Sequence, residues 1–161
     1  MSDDVEFGNQ PPSTPAAGDA GSSFLSDMLN APLDGAGAAR VDQGGQQLKA
    51  LAESGGFAIN EAGFQRYLKA CDRFLHEYPD HLFELNVLTQ AAQMGSHKYG
   101  GKVAAFNVEV ANGGPQSLIP NLELMADGIK KAREALVIAR ANYRETEEAH
   151  SQSFAKINNG L

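Results

Sequence analysis

The chain has 161 residues, with 13 Lys and Arg against 20 Asp and Glu, a formal net charge of -7 and 42% apolar residues. That acidic balance offers no basic face for tracking phosphates, which argues against a nucleic-acid binder and against docking on anionic membranes. Cys71 is the only cysteine, so an internal disulfide or a cysteine-rich metal site is excluded. The chain begins MSDDVEF, acidic where a secretory leader is basic, and no apolar run reaches the length of a membrane span.

Residues 1–56 read as a disordered acidic tail. The stretch QPPSTPAAGDAGSS is too poor in apolar area to offset the entropy of ordering, and residues 1–50 carry seven acidic side chains against two basic ones. One island interrupts it. Phe24, Leu25, Met28, Leu29 and Leu33 fit a short helix over 23–31, capped by Ser22 or Ser23 and stopped by Pro32. It reads either as a transient helix in a linker or as a docking motif that folds on a partner. Residues 46–54 suggest a weak helical turn ended by Gly55 and Gly56.

Residues 57–161 read as a helical domain. Asn60 is a fitting N-cap, with Glu61 at the positive end of the helix dipole. Phe64, Leu68, Cys71, Leu75, Tyr78, Leu82 and Leu85 then recur at alternating spacings of four and three, the mark of one apolar stripe along a helix. Pro79 removes one hydrogen bond without shifting that register, which favours a kinked continuous helix over two separate ones. The helix is expected to end near Met94 and Gly95. Between the glycine pairs, KVAAFNVEVAN fits a short packed connector helix better than a strand. From Leu118 the same rhythm returns through Leu122, Met125, Ile129, Ala132, Leu136, Ala139 and Tyr143, with Pro115 and Pro120 near its start.

These patterns predict an all-α fold: an antiparallel helical hairpin with a short connector helix and a disordered N-terminal tail. The pairing seam is Phe64, Leu68, Cys71, Leu75, Tyr78, Leu82 and Leu85 against Leu118, Leu122, Met125, Ile129 and Leu136. A lone two-helix hairpin is marginal. Further burial is expected from the connector, a second copy or a related hairpin protein.

No catalytic, cofactor-binding or metal-ligating set emerges. His150 follows Glu147 in a single Glu-x-x-His, where a di-iron bundle needs two, and His76 and His81 read as members of a solvated face. The glycines match no phosphate loop or dinucleotide fingerprint, and no serine sits in G-x-S-x-G. A different feature stands out after Tyr143, where the stripe turns polar through Thr146, His150 and Ser153. Helix turns past that point should project beyond whatever buries the first ones. Tyr143 and Glu147, four apart, share a face there and offer an aromatic anchor beside a carboxylate.

A helical hairpin followed by Tyr-x-x-x-Asp/Glu resembles the substrates of the type VII (ESX) secretion system of actinobacteria, relatives of the small Trp-x-Gly secreted family. GGFAINEAGFQRYLKACDRF is similar to that group's opening helix, MGSHKYGGKVAAFN to its Gly-x-x-x-Tyr-Gly connector and ANYRETEEAHSQSF to its closing stretch. The chain has no Trp, so the Trp-x-Gly turn is absent, and Glu147 stands where many members carry Asp. The resemblance implies a non-catalytic protein, secreted or at the cell surface without a cleaved signal peptide. Tyr143 and Glu147 would be its secretion signal, read by the secretion ATPase or an adaptor, and a second helical hairpin would pair with it as homodimer or heterodimer. The alternative is a cytoplasmic adaptor or structural dimer, with the tail island recruiting a client. A metal-dependent bundle enzyme is the remainder.

Overall fold

A computed structural model describes residues 35–95 and 97–158, which form four helices and no strand. The expected island at 23–31 and the rest of the tail up to residue 34 lie outside the described residues.

The first helix, α1, runs Gly35–Glu53. It occupies sequence expected to belong to the tail, and the expected domain boundary at residue 56 moves back accordingly. Its glycines and alanines carry little apolar area, yet Ala38, Val41, Gly45, Leu48 and Ala52 recur at spacings of three and four and are all buried. The helix therefore depends on what it packs against. Its end is closed by Gly55 at φ 75°, with Gly56 N–H donating to Leu51 O at 2.8 Å.

The second helix, α2, runs Glu61–Val87 as one continuous helix with Pro79 inside it. Asn60 caps it, its side-chain oxygen accepting from Gly63 N–H at 2.9 Å. It stops at Val87, short of the expected Met94–Gly95 end. Asn86 donates to Leu82 O and the Thr89 hydroxyl donates to Asn86 O, so polar side chains take up backbone carbonyls where Val87 and Leu88 are exposed. Gly95 does adopt a left-handed φ of 75°, but in the connection beyond the helix.

The connector helix, α3, runs Lys98–Asn112, and the long helix, α4, runs Leu118–Asn158. Ser117 stands between them. Its hydroxyl accepts from Gly114 N–H and donates to Glu109 O, and its own carbonyl accepts from Asn121 N–H in the first turn of α4. Pro120 falls in that same first turn, where a missing N–H costs little.

α4 is the axis of the fold. α2 lies antiparallel to it, Glu61 meeting Arg140 and Asp72 meeting Arg133. α1 lies parallel to it, Asp42 meeting Lys131 and Lys49 meeting Glu134. The contact with α1 is the most extensive, and α1 and α2 barely touch each other. Val41, Leu48, Phe57, Phe64, Cys71, Ile129, Leu136 and the alanines 132, 135 and 139 form one buried core. The expected hairpin is thus the α2 and α4 pair, with α1 as a third rod on the other side.

Two columns of α4 serve the two partners. Leu122, Ile129 and Leu136, with Met125, form the stripe anticipated from the sequence. One position back, Asn121, Gly128 and Ala135 recur every seventh residue, and all three are buried. There α1 and α4 approach backbone to backbone. A Cβ added at Gly128 would lie 2.6 Å from Asp42 Cα, and one at Gly45 would strike the Gly128 carbonyl. Only glycine at both positions lets the rods come so close.

Candidate functional site: the projecting end of the long helix

The bundle grips α4 up to residue 144. Ile59 N–H donates to Ala139 O, and Asn142 Nδ2 donates to Ala52 O at 2.8 Å and to Phe57 O at 3.2 Å. Ala52 O belongs to the last turn of α1 and already accepts from Gly55 N–H at 3.0 Å, so Asn142 adds a second donor to it from outside. Arg140 brackets the same level. It gives Glu61 two hydrogen bonds, at 2.7 and 2.8 Å, and lays its guanidinium 4.5 Å from the centre of the Phe64 ring. Arg144 adds a third bond to Glu61 at 3.3 Å. The Glu61 carboxyl is held below its usual range, first by its hydrogen bond from Gln65 and then, against desolvation, by the hydrogen bond and charge of Arg140 and the charge of Arg144.

Beyond Arg144 every described side chain through Ile157 is exposed. Thirteen residues at ~1.5 Å rise make a rod of roughly 20 Å clear of the bundle. Thr146 and Ser153 turn their hydroxyls back to the carbonyls of Asn142 and Ala149, leaving those side chains folded along the helix.

Tyr143 sits at the base of this rod, half-buried, and Glu147 one turn out, exposed. The phenol is held above its ordinary value by the charge of the Glu147 carboxylate and then by hydrogen bonding to it. The two side chains therefore act on each other, as their spacing anticipates. At about 100° per residue, His150, Phe154 and Ile157 fall within roughly 40° of the Tyr143 direction and complete that face. Phe154 is 71% exposed and Ile157 65%. These two apolar residues belong to the candidate surface and were not singled out from the sequence. Their four-three spacing from Tyr143 through His150 was the available signal.

The expected pairing residues are distributed unevenly. Phe64, Cys71, Ile129 and Leu136 are buried, whereas Leu68, Leu75, Tyr78, Leu82, Leu85, Leu122 and Met125 are half-buried. Leu118 is 41% exposed, at the end of α4 next to α3. Burial pushes the Cys71 thiol up to about 11, so it is protonated and inert near neutral pH. His76, His81 and His150 are all exposed, and among the described residues no group of three or more His, Cys, Asp or Glu is placed to hold a metal ion. No described helix is long and apolar enough to cross a membrane.

Comparison of the chain with protein-family models, with curated proteins and with solved structures finds no match.

Proposed function

We propose that this is a type VII (ESX) secretion substrate or secretion-associated protein, non-catalytic, exported through the signal formed by Tyr143 and Glu147. The observation that carries the reading is the exposed end of α4, where Tyr143, Glu147, Phe154 and Ile157 share one face of a rod standing clear of the bundle. An export motor or adaptor with an apolar slot and a cation could take that rod without unfolding the rest. Phe154 and Ile157 supply apolar area at the outer end. Tyr143 supplies an anchor whose base is already ordered, and Glu147 supplies a charge-assisted bond that fixes rotation about the helix axis. The energy of transport comes from the ATPase, and the protein ends at the cell surface or in the medium.

The pairing part of the proposal rests on the C-terminal half of α2. Phe83 is 75% exposed and Val87 62%, on a helix whose earlier turns are covered by α4. A second copy or another helical hairpin protein fits against that half. The same surface favours the second reading, a cytoplasmic helical adaptor acting as a dimer.

Export from a secretion-competent host separates the two. Tyr143→Ala and Glu147→Ala should each lower the amount in culture supernatant at least tenfold while the cytosolic pool persists. Supernatant levels unchanged by both substitutions would remove the export reading and leave the adaptor.

A further inference from the structure

α3 is held to the bundle by little. Only Ala104 and Ala111 of its side chains are buried, and an isolated helix of ~12–15 residues is marginal in water. On its outer face Val103, Phe106 and Val110, spaced three and four, are 47%, 62% and 41% exposed. Phe106 and Val110 continue into an open groove of about 420 Å³ whose other wall is Pro115, Gln116 and Leu118. An apolar helical face leading into an apolar groove needs a cover.

The chain brings one to the lip. α1 begins at Gly35, and Gly35 packs on Gln116: a Cβ there would lie 2.9 Å from Gln116 Cδ. Gln116 lines the groove, so whatever precedes Gly35 enters the fold at the groove's edge. What precedes it is the apolar island Phe24, Leu25, Met28, Leu29 and Leu33. Leu33 is two residues from Gly35, within ~7 Å at ~3.5 Å per extended residue. As a helix, residues 23–31 would span ~13 Å, comparable with the ~10 Å that separates Val103 from Val110 along α3. Charge favours the N-terminal half of the fit: the island carries Asp27 and no cation, and α3 carries Lys98 and Lys102, the latter one turn before Phe106, while Glu109 lines the groove itself.

We propose that residues 24–33 of this chain dock, as a short amphipathic helix up to Pro32 followed by Leu33, on the Val103, Phe106 and Val110 face of α3 and cover the groove over Leu118. A tether of two residues gives the segment an effective concentration on the order of millimolar, which a second copy at micromolar concentration does not match. The loop to be closed is short, so its entropic cost is small. The docked segment is withheld from any client that would read it as a recruitment motif.

Amide hydrogen exchange on the full-length protein tests this. With Phe24→Asp and Leu29→Asp introduced together, amides of residues 103–112 should exchange at least tenfold faster, while those of α2 and of the α1 and α4 pair keep their rates. The reciprocal change, Phe106→Asp on an exposed position, should speed exchange in residues 24–33 by a similar factor, with circular dichroism unchanged in both variants. Exchange in α3 indifferent to the double substitution would overturn the proposal. So would protection of α3 that rises with protein concentration alongside a doubled mass in sedimentation, because a second copy would then be the cover.

Discussion

The two sides of α4 differ in how closely the backbones approach. Toward α2 the contact is made by large side chains, Phe64, Leu68, Phe74 and Leu75 among them, with Cys71 in the middle and a guanidinium laid on an aromatic ring. Toward α1 small residues, Ala38, Gly45 and Ala52 against Gly128 and Ala135, bring the backbones into near contact, and Val41 and Leu48 are buried between them. The first side gains from apolar area, roughly 25 cal/mol per Å² removed from water. The second adds close approach to the burial of Val41 and Leu48, since dispersion falls off steeply once a gap opens between the rods. One helix can satisfy both partners because its two columns are offset by a single residue.

Substitutions that shrink the large side or swell the small one should separate these mechanisms. Phe64→Ala, at a site 4% exposed, removes both the buried ring and the platform for Arg140, and should cost about 3–5 kcal/mol in denaturant unfolding. Labelling of Cys71 by a thiol reagent gives an independent reading: negligible in the native wild type, it should accelerate as the α2 side opens. Gly128→Ala should act on the other side. Its Cβ meets Asp42 Cα and Val41 O rather than a movable side-chain tip, so overpacking at about 1–3 kcal/mol is only partly offset by alanine's helix propensity of up to about 1 kcal/mol. The net loss should be near 1–2 kcal/mol, with α1 amides exchanging faster and α2 amides unchanged. Equal acceleration in both helices would mean that the two sides are one cooperative unit.

The same contrast explains what the sequence could and could not reveal. α2 and the Leu122, Ile129 and Leu136 column are legible because large apolar residues mark the stripe, and Asn60 is legible as a cap because its chemistry is local. α1 follows the same three-four rhythm, but Ala and Gly at those positions look like linker composition, and the glycines lower intrinsic helicity. Its order comes from α4, through contacts that sequence spacing does not encode. The Asn121, Gly128 and Ala135 column was hidden for the same reason. The end of α2 lies short of the expected one because Gly95, which does take the left-handed φ of a cap, stands in the connection beyond Val87. At the projecting end the pairing of Tyr143 with Glu147 follows from spacing. That the rod stands free follows only from where Asn142 and Arg144 make their last contacts.

Ion pairs rim both sides and should respond to acid together. Glu61, facing α2's partner arginines, and Glu134, bonded to Lys49 of α1 at 2.6 Å, both have carboxyls held below the ordinary 4.5. The folded state therefore binds these protons less readily than the unfolded chain. Their contribution is fully present above 4.5 and is lost as pH falls through the lower folded values. The urea midpoint should decline across that window, modestly because the pairs are exposed. In the Glu61→Gln, Glu134→Gln double variant the decline should be shallower, and an unchanged slope would mean that other carboxylates carry it.

The smallest expected effect lies beyond both seams. Tyr143 titrates above its ordinary value because ionising the phenol would place a second negative charge beside Glu147 and would end the hydroxyl's hydrogen bonding to it. Glu147→Gln removes the charge while keeping the length of the side chain. The Tyr143 pKa should fall toward the usual range, read as the component of the spectrophotometric titration that Tyr143→Phe abolishes. Folding stability should stay nearly unchanged, since Glu147 touches neither seam. Were the shift to persist in Glu147→Gln, its cause would be the partly covered base of the ring. Tyr143 would then be the last residue of the bundle and not the first of the exposed handle.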